Sequence, residues 1–233
     1  MKVRIQFSKH GVMKFIGHLD IMRYFQKAIR RAGVDIAYSG GYSPHQIMSF
    51  AAPLGVGLES DGEYLDIEVN SHSGAEQMME TLNAVMVDGI RILSVRMLPE
   101  QAKNAMASVA AAGYLIIFRK GYEPDFDYKE TLKNFYAQDA IPFVKQTKKS
   151  ELELDLKPAI YELEIRGDMI YMFVDASSAG NIKPSMVMEA LYRFQREELP
   201  EFALEITRTD TYTALEEDGI KHFIPLRDVG IAF

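Results

Sequence analysis

Val3, Ile5 and Phe7 alternate with Lys2, Arg4, Gln6 and Ser8, the period of a strand with one apolar face and one polar face. Residues 13–16 are expected to return beside it as a short hairpin partner. The period then changes. Between 20 and 32, Ile21, Phe25, Ala28 and Ala32 recur on one helical face and Arg23, Lys27, Arg30 and Arg31 on another, with Asp20 as the expected N-cap and Gly33 as the stop. Short strands are predicted near 36–38 and 46–50, on either side of Ser39-Gly40-Gly41-Tyr42-Ser43-Pro44, a run dense in turn formers. A strand at 63–69, a helix at 73–87 with Met78, Met79, Leu82 and Met86 inward, and a strand at 90–97 complete the first round.

With the hairpins merged, the order is β-α-β-β-α-β, and it recurs. A strand at 109–119, a helix at 128–138, a strand at 141–146, a hairpin of 160–165 with 169–174 about Gly167-Asp168, a helix at 185–198 and a strand at 202–209 form the second round. The expected fold class is therefore α+β: two consecutive ferredoxin-like (βαββαβ) units with antiparallel sheets, over 1–100 and 105–233. The halves share no residue-level repeat, so element order alone carries this expectation.

Composition narrows the chemistry. At 233 residues and 48% hydrophobic content, the chain has side chains enough for a core in each half. No apolar run approaches the roughly 18 residues that span a bilayer, and charges run through the first thirty positions, so no membrane partner and a cytoplasmic location are expected. Cysteine is absent, which excludes disulfides, thiolate nucleophiles and Cys-held zinc or iron–sulfur centres. Gly55-Val56-Gly57 lacks both the third glycine of a dinucleotide fingerprint and the Lys-Ser/Thr of a P-loop, and reads as a turn. No cofactor and no metal site are expected.

Charge is unevenly placed. Against a net −7, residues 1–50 hold eight Lys or Arg and only Asp20 and Asp35, a local +6 that leaves −13 for the rest. The face made by Arg23, Lys27, Arg30 and Arg31 reads either as the solvated side of an amphipathic helix or as an anion platform. Tyr24, Tyr38 and Tyr42 lie close by in sequence and suit base stacking as well as a core. Tyr42 and His45 join the basic residues as candidate RNA contacts. Lys145, Lys148 and Lys149 form a second basic cluster, but Glu151, Glu153 and Asp155 follow at once and favour a self-paired surface. Glu162 and Glu164, at period 2, read as the wet side of a strand. His18, Asp20 and His45 are the candidate catalytic group: if they converge they form an acid/base site, and if not, a helix cap and hydrogen-bonding slots.

The run Lys14-Phe15-Ile16-Gly17-His18-Leu19-Asp20, then Arg23, Arg30-Arg31-Ala32, Tyr38 to His45, Ser49-Phe50-Ala51-Ala52-Pro53-Leu54-Gly55-Val56-Gly57, Glu59-Ser60, the stretch 145–158 and Asn181-Ile182-Lys183-Pro184 together resemble the radical-SAM-linked protein family, a bacterial domain of unknown function. In that family's pattern Ser is usual where Gly17 stands, Pro where Gln46 stands and a basic residue where Met48 stands. The resemblance implies fusion to, or encoding beside, a radical S-adenosylmethionine (SAM) enzyme, and so an accessory role. Without cysteines this chain cannot hold the cluster such chemistry needs, and a radical SAM partner enzyme must supply it. Three readings stand at this point. The chain is a non-catalytic module that binds tRNA or rRNA and presents it to that partner, a stand-alone RNA- or nucleotide-processing enzyme using His18, Asp20 and His45, or a protein-binding adaptor for the radical SAM enzyme.

Overall fold

The computed structural model describes residues 1–146 and 151–233. By its internal contacts the chain forms two units, Met1–Ala110 with Arg208–Phe233, and Ala111–Thr207. The sequence places one boundary near 100–105 and no second one. The structure instead groups the last 26 residues with the N-terminal portion.

In the first unit, strand β1 (Lys2–Lys9) lies between β3 (Glu59–Glu68) and β4 (Ile90–Met97), antiparallel to both. The short β2 (Met48–Phe50) pairs antiparallel with β3 opposite Leu65–Ile67. The order is thus β4-β1-β3-β2, with helix α1 (His18–Arg31) after β1 and α2 (Ala75–Asn83) before β4. Val3, Ile5, Phe7, Leu65, Ile67 and Ile92 pack with Ile21, Phe25 and Ile29 of α1 and with Met78 and Leu82 of α2 in one buried cluster. Each large apolar side chain so buried contributes about 1.5–3 kcal/mol, which anchors α1 by its inner face alone. Residues 13–16 do not return as a strand, because Gly11–Phe15 winds into a 3-10 helix. Gly11, at φ 59, starts that turn at a conformation other residues resist.

The polar face of β1 is not wet. Arg4, Gln6, Ser8 and Lys9 are all buried. The short helix α3 (Ala105–Ser108) and a 3-10 turn at Leu226–Val229 lie on that side, where Ala51, Tyr64, Ala105 and Leu226 form a second, smaller cluster. Arg4 is fully enclosed. Its Nε and Nη2 donate to the two Asp66 carboxylate oxygens at 2.8 and 2.9 Å, Nη1 donates to the Leu226 carbonyl at 3.1 Å, and Nη2 also reaches the Lys103 carbonyl at 3.3 Å.

In the second unit, β5 (Ala111–Phe118) and β8 (Ile160–Arg166) flank β9 (Met169–Asp175), all antiparallel, and β5 has the first residues of β10 (Leu204–Glu217) on its other side. Helices α4 (Tyr128–Tyr136) and α5 (Pro184–Phe194) bury Leu132 and Phe135, and Val187 and Leu191. Asp127 caps α4, accepting from the backbone N–H of Lys129 and Glu130. A separate two-stranded antiparallel sheet of β6 (Pro142–Gln146) and β7 (Glu151–Asp155) is interposed, and the sequence predicts only the first of these strands. Lys148 and Lys149 lie outside the described residues. Strand β11 (Ile220–Pro225) folds back on the end of β10 in the first unit through the Asp218-Gly219 turn. No helix among the described residues is long and apolar enough to cross a membrane.

Candidate nucleic-acid interface

Helix α1 starts two residues earlier than its expected cap. Gly17 is the N-cap, so Asp20 lies inside the first turn and caps nothing. Its carboxylate, near the positive end of the helix, meets Arg23 Nη1 at 3.3 Å with both side chains about two-thirds exposed. An exposed pair of this kind contributes about 0–1 kcal/mol and leaves the guanidinium open to a stronger anion. Lys27, Arg30 and Arg31 are exposed and have no carboxylate within ion-pair distance among the described residues. Arg31 donates instead to the Val85 carbonyl at 3.2 Å, and Arg30 Nε to the Gln26 carbonyl at 3.3 Å.

That Gln26 carbonyl also accepts from Gln46 Nε2 at 3.3 Å, so one oxygen joins the Arg30 side of the helix to the end of the turn-rich loop. The loop is closed at its base. Ser39 N–H donates to the His45 carbonyl at 2.8 Å, His45 N–H donates to Ser39 Oγ at 3.1 Å, and Oγ shares a 2.9 Å hydrogen bond with His45 Nδ1. Tyr38, bridged to Gln46, is 51% exposed, and Tyr42 at the loop tip is fully exposed. Tyr24 is not available for stacking: its hydroxyl accepts from Val87 N–H at 2.9 Å and lies 3.4 Å from Met86 Sδ, and its ring stands edge-on to Phe25.

The basic fifth of the chain therefore contributes less surface charge than its count suggests. Arg4 is spent on Asp66, and Lys9 is buried with its Nζ donating to the Ile16 carbonyl at 2.8 Å. Burial holds the Lys9 ammonium below the usual lysine range, against the pull of Glu63. Lys14 lies 3.3 Å from Glu59. What remains outward is Lys2 and the α1 stripe.

The three catalytic candidates have separate neighbours. The His18 ring stands edge-on to Phe50 at 5.4 Å and lines a recess of about 20 Å³ with Lys9, Pro53 and Glu63, room for about one water. Asp20 meets Arg23, and His45 closes its loop. No group of three His, Asp or Glu that would hold a metal occurs among the described residues. In the second unit, Glu162 and Glu164 both face Arg166, at 3.7 and 2.7 Å, as a surface cluster.

Sequence reasoning passed over a different histidine. His10 Nδ1 lies 2.9 Å from Glu59 Oε2 and Nε2 lies 2.7 Å from Asp61 Oδ1, while Gly11 N–H also donates to Glu59. Both ring nitrogens face carboxylates, so the ring satisfies both contacts as donor only when doubly protonated. Burial acts to lower the His10 pKa, but the hydrogen bonds to Glu59 and Asp61 prevail and hold it above its ordinary 6.5, and the His10 bond draws Glu59 below its ordinary 4.5. Asp88 and Arg91 line a recess together with His10. The raised His10 contributes stability that is full below about pH 6.5 and is lost as pH rises through its folded value. The lowered Glu59 contributes above about pH 4.5 and loses its share as pH falls through its own. His10→Gln is thus expected to lower the thermal midpoint more at pH 5.5 than at pH 8.5, measured by circular dichroism. An equal drop at both would remove the charged role from His10.

A family model described as an uncharacterized protein conserved in bacteria matches residues 2–184. No curated protein matches the chain. Among solved structures, a Cbf5–Nop10–Gar1 complex is 10% identical with a TM-score of 0.48, covering 90% of this chain and 48% of that one. The archaeal box H/ACA sRNP Nop10–Cbf5 complex is 8% identical at 0.41, covering 90% and 47%. The first two RRM domains of the yeast poly(U)-binding protein Pub1 are 12% identical at 0.23, covering 89% and 98%. The chain spans about half the length of the first two. At these TM-scores the likenesses carry no argument.

Proposed function

We propose that this chain, which belongs to the DUF2344 family conserved in bacteria, is a non-catalytic accessory module that binds RNA, of the tRNA or rRNA class, through the outer face of α1 and the 39–45 loop. One observation carries the reading: Arg23, Lys27, Arg30 and Arg31 are exposed along one helix, and three of the four lack a carboxylate partner among the described residues of a chain whose net charge is −7. Guanidinium and ammonium groups left open in this way gain most from phosphates, which displace counterions rather than an existing salt bridge. The separate neighbours of His18, Asp20 and His45 support binding over catalysis. The element orders β4-β1-β3-β2 and β10-β5-β9-β8 support reading both units as ferredoxin-like. Presentation of the RNA to a radical SAM enzyme completes the reading, and it rests on the sequence resemblance.

Four phosphate contacts give log affinity against log salt a slope of about −3 to −4. The double change Arg23→Gln with Arg30→Gln is expected to weaken RNA binding about tenfold near physiological salt and to flatten the slope by up to about two contacts. The fold is expected to hold, because Ile21, Phe25, Ala28 and Ile29 carry the helix. Lys129→Gln with Lys133→Gln serves as the control, since these lysines already face Asp168 and Glu130. Fluorescence anisotropy at two or more salt concentrations reads all three. If wild type shows no salt-sensitive RNA binding, the basic face belongs to a protein-docking adaptor instead.

A further inference from the structure

The basic stripe of α1 has unlike borders. On the Arg31 side the chain is closed: Arg31 donates to the Val85 carbonyl, and the Tyr24 hydroxyl is engaged by Val87 N–H and Met86. On the Arg30 side it carries aromatic surface with nothing packed over it. The Gln26 carbonyl fastens both Arg30 and Gln46, Gln46 bridges Tyr38, and the Ser39–His45 hydrogen bonds hold the loop that raises Tyr42 into solvent. Tyr42 is fully exposed and Tyr38 half so, an expensive placement for two large rings in a chain that buries Tyr64 and Tyr192 completely. Gly41, at φ 97, lets the loop turn immediately before Tyr42. Lys27 and Arg30 thus lie along one edge and two open π-faces beside it.

Resting on the RNA reading above, we infer that this edge takes an unpaired stretch of RNA, whose phosphates run along Arg23, Lys27 and Arg30 while two of its bases stack on Tyr38 and Tyr42. A duplex fits poorly here. Its bases already stack on one another and offer no free face, so the tyrosines gain nothing from it, whereas every base of a single strand has a π-face to offer. Stacking of this kind is tolerant of sequence, so recognition is of strandedness rather than of a base code.

The test uses the full chain and two probes, a fluorescein-labelled 12-nucleotide oligouridylate and a blunt 12-base-pair RNA duplex, read by anisotropy at one fixed salt concentration. The single strand is expected to bind at least about tenfold more tightly. Tyr42→Ala, a change at an exposed loop tip, should weaken single-strand binding about tenfold and Tyr38→Ala with Tyr42→Ala further, with duplex binding unchanged within twofold. Tyr42→Phe, which keeps the ring, should behave as wild type. Equal binding of the two probes, or single-strand affinity indifferent to Tyr42→Ala, overturns this inference and leaves the RNA reading standing. Absence of binding to both probes by the wild type removes the two together.

Discussion

Asp66→Ala is expected to destabilise the first unit by about 3–5 kcal/mol, the range for removing one partner of a buried ion pair. Arg4 would keep its two carbonyl acceptors but lose both charge-assisted bonds, and its enclosed guanidinium would then have no carboxylate within ion-pair distance among the described residues. The direct pairing of Arg4 with Asp66 across β1 and β3 leaves little room for water to take the carboxylate's place. Since whole domains are held by only about 5–15 kcal/mol, the loss should be plain in urea unfolding followed by circular dichroism. The paired change Arg4→Met with Asp66→Leu should regain most of it, because similar-sized apolar groups avoid the desolvation cost of both charges. A single variant within about 1 kcal/mol of wild type would mean that the pair can be replaced by solvent.

Gly62→Ala is expected to cost about 3 kcal/mol, the upper end of what overpacking imposes. A Cβ at this position would stand 2.2 Å from Asp210 Cα and 2.8 Å from Asp210 Oδ1, and backbone cannot swing aside as a side chain does. The strands β3 and β10 would have to separate where three buried contacts are made: Tyr64 O–H to Asp210 Oδ1 at 2.6 Å, Thr211 Oγ1 to the Gly62 carbonyl at 2.9 Å, and Arg208 Nη1 to Glu63 Oε1 at 2.8 Å. Burial raises both the Tyr64 and the Asp210 pKa, so loosening this cluster leaves polar groups in a site poorly suited to charge. Gly40→Ala, where an added Cβ meets nothing within 4 Å, should shift stability by no more than about 0.5 kcal/mol. Equal unfolding midpoints for the two alanine variants would show that β3 and β10 adapt.

The main elements were legible because their periods are clean. β1, α1, β4, α4 and the β8–β9 hairpin fall within a few residues of their predicted spans, as alternation and helical recurrence require when one face is buried. Residues 13–16 mislead because Met13, Phe15 and Ile16 around one Lys14 are too few to show a period, and Gly11 turns the segment into a 3-10 helix. β7 is hidden by its carboxylates, which read as partners for the neighbouring lysines, and β11 lies beyond the last predicted strand at 202–209, although Asp-Gly at 218–219 is a strong hairpin signal. For the interface, the residue types and spacing of the α1 stripe were in the sequence, but the burial of Arg4 and Lys9 and the engagement of Tyr24 were not. They depend on what covers the second face of β1 and on the segment after α2. His10 meets Glu59 and Asp61 about fifty positions away, and nothing local to His10 marks that meeting.

Arg4 donates to the carbonyl of Leu226, 222 positions later. During synthesis the guanidinium leaves the ribosome early, and its Asp66 partner follows soon after, yet the acceptor that finishes its enclosure is made only after all of 111–207. At about 5–20 residues per second, the stretch from Asp66 to Leu226 takes roughly 8–32 s. Over that time the nascent first unit has β1, β3 and α1 in hand but the polar face of β1 without its C-terminal cover.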